Sequence, residues 1–322
     1  MKKILAADIG GTNSRFGYFQ VDTAGRLSLI ESRWIKTGTT TSFSHLLSLL
    51  KKTNFPLPPD DSDIAVLAVA GPVVEGTYSN PPHIAWDIDV SNSAEDYNMK
   101  RSLLINDFVA QAFACRSPVI KSAQKVVPGQ IDPNAALAVI GPGTALGMAA
   151  LLPDGPGKYV AVPSEGGHCE LPFESRIEYE FCKFLLTALG GSYVEVESVV
   201  SGKGLSLIHQ FLTGKKMTPA EVSAHLLPDS ETLLWMVRFF ARTCRNYALQ
   251  VLARGGVYVT GGVAAKVPNI VTHPEFKKQF RSSMTMAPIL KKIPVFLNTN
   301  EESGLWGSAL LGMQNLKFEH RR

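Results

Sequence analysis

The sequence predicts an α/β protein built from two related halves. Three observations lead there: short apolar runs of strand character alternate with amphipathic stretches of helical period, a Gly-Gly-Thr-Asn turn interrupts the first strand pair, and that strand, turn and strand recur in mid-chain. With 322 residues, 45% hydrophobic and 19% charged, the chain is long enough for two domains with cores of their own. Its net charge is only +4 and its Lys and Arg are scattered, so neither nucleic acid nor an anionic membrane is expected as a partner. Asp8 and the glycines after it cut short the first apolar run, so no export signal is expected. Other apolar runs, such as 64–70, fall well below the ~20 residues a membrane-spanning helix needs. Cys115, Cys169, Cys182 and Cys244 lie far apart without zinc spacing, which reads as reduced core or near-core thiols in the cytoplasm.

The opening residues read as a strand over 3–7, a tight turn over 8–13 and a strand over 15–21, because β-forming apolar residues flank a glycine-rich break. Phe43, Leu46, Leu47 and Leu50 repeat at helical spacing behind Ser42, which predicts a capped helix over 43–52. Residues 64–70 have the unbroken apolar character of a buried strand. A strand over 102–105 then leads through Asn106-Asp107-Phe108 into an Ala-rich helix over 109–115. A shift of 132 positions lays residues 4–7 on 136–139, Gly11-Thr12 on Gly143-Thr144, and Asp22 on Asp154. Such agreement of strand, turn, strand and closing acid predicts two halves with one loop each. A long helix is expected over 231–254, between Ser230 and Gly255-Gly256, with Leu234, Val237, Phe240, Ala241 and Cys244 on its apolar face. Strands over 257–260 and 294–297 and a helix over 302–316 complete the alternation.

The run Ala7, Asp8, Ile9, Gly10, Gly11, Thr12, Asn13 carries the first chemistry. Its two glycines let backbone N–H groups approach a phosphate, Thr12 and Asn13 add neutral donors, and Asp8 offers a carboxylate to a magnesium ion, directly or through water. An ordinary hairpin turn uses the same residues, and the second copy at Gly143 and Thr144 weighs toward phosphate. The run 141–147 is not a dinucleotide fingerprint, because its last glycine comes one position late and Pro153 and Gly155 follow soon after. Neither loop has a Walker lysine. Two phosphate-cradling hairpins in related halves point to the actin-like ATPase arrangement, with nucleotide in the cleft between lobes.

Five motifs stand in order: Asp8-Ile9-Gly10-Gly11-Thr12-Asn13, Ile105-Asn106-Asp107-Phe108, Gly143-Thr144, Glu165-Gly166-Gly167-His168 and Thr260-Gly261-Gly262. Together they resemble the bacterial glucokinases over nearly the whole chain. The resemblance implies a two-lobed actin-like ATPase (ribonuclease H-like) fold of hexokinase type, a small lobe over 1–107 with 301–322 returning to it, and a large lobe over 108–300. It also implies ATP and Mg2+, glucose as acceptor, and a homodimer.

By the same resemblance Asp107 is the catalytic base, a carboxylate at a strand end that accepts the proton of the attacking sugar hydroxyl. The residues alone leave it equally open to a helix N-cap duty. Asn106 offers a sugar hydroxyl both donor and acceptor. Glu165, His168 and Glu197 are implied as sugar ligands; metal binding is the rival for Glu165 and His168, and no third ligand stands near them in sequence. Gly261 and Gly262 would lay bare backbone against adenine or ribose, or merely end a strand. Asn80 before Trp86 resembles the family's sugar-holding asparagine, with a longer interval than is usual, and Ala145 stands where relatives have glycine. Gly304 and Gly307 read as positions for close packing across the lobes. The reaction implied is ATP plus glucose giving ADP and glucose 6-phosphate. The alternatives are a kinase for another hexose or amino sugar, and a non-catalytic sugar-sensing regulator of the same fold.

Overall fold

The computed structural model describes residues 1–318, which fall into two compact units. The first comprises Met1–Ser122, Asp154–Ala161 and the described residues from Asn300 onward; the second comprises Ala123–Pro153 and Val162–Thr299.

In the first unit the strands are β1 (Lys2–Ile9), β2 (Asn13–Val21), β3 (Leu27–Lys36), β4 (Ile64–Val69), the short pair β5 (Tyr78–Ser79) and β6 (Ile88–Asp89), and β7 (Ser102–Asn106). Five of them form a sheet in the order β3-β2-β1-β4-β7, with β1, β4 and β7 parallel. Alternation along β1 assigns its side chains to two cores. Leu5, Ala7 and Ile9 join Phe43, Leu46 and Leu50 of the helix Phe43–Lys52, whereas Ile4 and Ala6 join Leu305 and Ala309 of the helix Ser303–Phe318. Because both faces are covered, all six residues of β4 are buried, which is why that segment reads as an unbroken apolar run. Ser42 caps its helix as expected, its Oγ accepting from the His45 N–H at 3.0 Å. The edge strand β3 went unanticipated: it is largely exposed and mixes Ser28, Glu31, Ser32 and Arg33 into its run, which blurs the two-residue period.

The second unit carries β8 (Gln124–Val127), β9 (Leu137–Pro142), β10 (Leu146–Pro153), β11 (Tyr159–Ser164), β12 (Val257–Val259) and β13 (Val295–Leu297), in the sheet order β11-β10-β9-β12-β13-β8. Its β9-β10 hairpin is antiparallel, and β9, β12 and β13 are parallel. The first five strands therefore repeat the layout of the first sheet. The repeat slips by one residue at the loops, for four residues separate the paired Ile9 and Ser14 but only three separate Pro142 and Leu146.

The long helix Glu231–Gln250 is capped by Ser230 and packs ten buried hydrophobic residues into the second core. It stops four residues before the expected Arg254, because Leu252 adopts a left-handed backbone (φ 48°) that a helix cannot continue through. Cys115 and Cys244 are buried and Cys182 half-buried; Cys169, against the near-core expectation, is exposed in the loop that follows His168. No helix among the described residues is long and apolar enough to cross a membrane.

Candidate active site

Two of the predicted motifs meet at one edge of the first sheet. Register pairs Ile9 with Val69 and Val69 with Asn106, so the first glycine loop and the Asn106-Asp107 pair both emerge from the carboxyl ends of parallel strands. Two strand spacings separate them, about 9–10 Å. In the loop the Gly10 N–H closes the turn on the Asn13 carbonyl at 3.1 Å, and the N–H groups of Gly11 and Thr12 have no hydrogen-bond partner among the described residues. Gly11 must be glycine for a further reason, since a Cβ there would lie 2.8 Å from His83. Asp8 is half-buried and accepts from Arg15 Nη1 at 3.3 Å; burial pushes its carboxyl upward, and Arg15, stacked 4.0 Å from the Trp34 ring centre, only partly pulls it back. The backbone of Gly304 lies against this carboxylate, and a Cβ there would come 2.6 Å from Oδ2.

Asn106, not Asp107, is the helix cap. Its Oδ1 accepts from the Phe108 N–H at 2.9 Å and its Nδ2 donates to the Gly71 carbonyl at 3.0 Å, which leaves the amide one donor and one acceptor. Asp107 is the first residue of the helix Asp107–Ala114, earlier than the expected start, and its Oδ1 also accepts from Phe108 N–H at 3.0 Å. Helix Ser303–Phe318 braces this helix from behind through Gly307, whose missing Cβ would overlap the Ala110 carbonyl. Gly304 and Gly307 thus serve close packing within the first unit.

A second assembly stands in the other unit. Gly143 N–H closes on Ala145 O at 2.8 Å, and Gly202 N–H donates to Gly143 O at 2.9 Å. The chain leaving the neighbouring parallel strand β12 turns at Gly261, where φ is +92° and a Cβ would lie 2.7 Å from Pro142 O, so the second loop and the Gly261-Gly262 turn are adjacent. Leu146 N–H donates to Glu197 Oε2 at 3.4 Å, and His168 Nδ1 stands 3.8 Å from Glu197 Oε1. Glu165 lies 3.9 Å from His168 Nε2 and is exposed. Ser164 Oγ accepts from Gly166 N–H at 3.1 Å.

A family model, Glucokinase, matches residues 5–315. The chain belongs to the glucokinase family. A glucokinase of Pseudomonas paraeruginosa is 31% identical over 98% of this chain and 94% of its own. The crystal structure of a glucokinase from an Antarctic psychrotroph superposes with a TM-score of 0.83 at 26% identity, over 97% of this chain and 98% of that one. A ROK family glucokinase from Streptomyces griseus in complex with glucose and AMPPNP shares the fold, with a TM-score of 0.61 at 16% identity over 96% of this chain and 98% of that one. The α/β fold of the actin-like sugar kinases is thereby shown, and the family's activity is ATP-dependent phosphorylation of glucose.

Asn80 and Trp86 lie in different surroundings. Asn80 is exposed just beyond β5, whereas Trp86 is buried and donates from Nε1 to Thr40 O and Oγ1 at 3.1 Å each. Between them Pro81 is buried while Pro82 and His83 are exposed; Pro81 and Pro82 lie against Gly71, and His83 against Gly11 of the first glycine loop. Sequence reading also missed Glu195. Its Oε2 is 3.3 Å from His168 Nδ1, and donor atoms of His168, Glu195 and Glu197 lie within 4.8 Å of one another. That cluster leaves out Glu165, which approaches the other ring nitrogen, Nε2; Glu195 stands 27 residues from His168, and the run Val194-Glu195-Val196-Glu197 is the signal that would have found it.

Proposed function

We propose that this chain transfers the γ-phosphoryl group of ATP to the 6-hydroxyl of glucose, with Asp107 as the base. One observation carries the reading: a glycine loop with unpartnered N–H groups and a carboxylate at a strand end share the carboxyl edge of one parallel set, where α/β sheets bind ligands. In the proposed reaction Asp107 takes the proton of the sugar hydroxyl, that oxygen bonds to the γ-phosphorus, and the bond to ADP breaks. Loop N–H groups of Gly11 and Thr12, and of Thr144 in the second unit, hold phosphate oxygens in place, with Gly143 letting the backbone approach them. Asn106, Glu165, His168 and Glu197 orient sugar hydroxyls, while Gly261 and Gly262 lie against the nucleoside.

Asp8 fits a magnesium ion, because its half-buried carboxylate is a hard donor and Arg15 engages only its Oδ2. Bound there, directly or through water, the ion would neutralise phosphate charge. Four free thiols suit a reducing cytoplasm, and the family resemblance supports a homodimer.

Another hexose or an amino sugar is the reading to weigh beside glucose, because Asn80 is exposed and its interval to Trp86 is long. A coupled ADP-release assay over glucose, mannose, fructose and glucosamine separates them, with glucose expected to give the highest kcat/KM. Asp107→Ala should retain the fold, since Asn106 supplies the cap, and should lower kcat roughly 10²–10⁴-fold. Turnover at the wild-type rate in the folded variant would remove Asp107 from the mechanism.

A further inference from the structure

Glu195 lies outside every motif that the sequence singles out, yet its side chain is the one nearest to His168. Its backbone is clamped: Leu171 N–H donates to Val194 O at 2.8 Å and Val196 N–H to Cys169 O at 2.9 Å, an antiparallel contact centred on Glu170 and Glu195. Val194 and Val196 point into the core, so alternation sends Glu195 to the opposite face, toward the imidazole. The 3.3 Å approach of Oε2 to Nδ1 is within hydrogen-bond reach, whereas Glu197 at 3.8 Å and Glu165 at 3.9 Å are not.

We propose that Glu195 is a positioning residue: it accepts the Nδ1–H of His168, fixes the ring's tautomer and orientation, and thereby leaves Nε2 as an acceptor for a sugar hydroxyl. The proposal rests on the reading that His168 faces the sugar. A neutral imidazole has one donor nitrogen and one acceptor nitrogen, and the partner of the first decides which is the second. Without Glu195 the ring would exchange tautomers and turn, and each sugar encounter would first have to select the right one.

The charged groups facing this ring are Glu165 from its own loop and Glu195 and Glu197 from the opposite segment. Burial alone would lower its pKa; the Glu195 hydrogen bond and the charges of Glu197, Glu195 and Glu165 outweigh that, so His168 titrates above its ordinary value. Below that pKa the protonated Nε2 faces Glu165 and has no lone pair for a hydroxyl. Sugar capture should therefore improve as pH rises through the His168 titration, and removal of Glu195 should move this limb of kcat/KM for glucose to lower pH.

Two measurements on the full-length protein test this. The first follows the imidazole nitrogens of His168 by NMR in protein labelled with 15N-histidine, the resonances being assigned by their loss in His168→Asn. Wild type should show neutral His168 protonated at Nδ1, and Glu195→Ala should show a lower pKa and return of the Nε2-protonated form. The second is steady-state kinetics. Glu195→Ala should raise KM for glucose roughly 3- to 10-fold, the scale of a partly exposed charge-assisted pair, with kcat and KM for ATP little changed. Glu195→Gln, which keeps an acceptor but not the charge, should recover part of the KM and none of the pKa. A neutral wild-type ring protonated at Nε2, or a His168 titration and a KM both unmoved in Glu195→Ala, would overturn the role of Glu195. If the wild-type chain left glucose unphosphorylated, the proposed function would fail by itself, and the NMR result would still decide whether Glu195 fixes the ring.

Discussion

Gly307→Ala tests whether helix packing sets the position of Asp107. The added methyl would overlap the Ala110 carbonyl oxygen and stand 2.6 Å from its carbon and 2.9 Å from Ala114 N, against the 3.5–4.0 Å of ordinary contact. Those atoms are backbone of Asp107–Ala114, so no rotamer relieves the overlap, and the two helices must separate by well over 1 Å. Alanine gains about 1 kcal/mol of helix propensity over glycine. Overpacking into backbone costs about 3 kcal/mol or more. Packing wins, leaving a net destabilisation of about 2–3 kcal/mol and a fall in Tm of about 5–10 °C. The displaced helix begins at Asp107, and a shift of about 1 Å in a reacting group should lower kcat roughly 10- to 100-fold. Differential scanning calorimetry and the coupled assay read both, with Gly38→Ala as control, because that exposed glycine has nothing within 4 Å of its would-be Cβ. Wild-type Tm and kcat in Gly307→Ala would refute the reasoning.

Gly261→Ala should destabilise by about 2–3 kcal/mol, for φ is +92° and the new Cβ would press on Pro142 O; it should also raise KM for ATP more than KM for glucose, and unchanged thermal unfolding would contradict this. Arg242 is 3% exposed and pairs with Glu178 at 2.9 Å and Glu174 at 2.9 Å, so Arg242→Ala should lose about 3 kcal/mol in urea unfolding by leaving Glu178 unpaired. Since Arg242 lies outside the proposed site, KM values should stay unchanged, and values that moved with it would contradict this.

Wherever periodicity or turn chemistry is local, the elements were legible. Ser42 and the Phe43, Leu46 and Leu50 spacing define a helix whose bounds match the expected 43–52, and the uninterrupted 64–70 run is a central strand because both of its faces are covered. The duplicated loop was also legible, and its one-residue slip emerged only from the strand register. Edge strand β3 lacked a clean period because an exposed edge does not demand one. The identity of the helix cap depended on which of two adjacent side chains turns back to Phe108 N–H; Asn106 and Asp107 are both good caps, so residue type does not decide it.

By itself the sequence determined the residue chemistry and its order: which carboxylates, imidazole and glycines exist, and that they follow the glucokinase pattern from Asp8 to Gly262. Only the tertiary structure decided which of them meet. Glu195 reaches His168 across 27 residues, and Gly307 reaches Ala110 across nearly 200, because strand register and helix contact are set by burial summed over whole faces, which no local stretch of chain encodes.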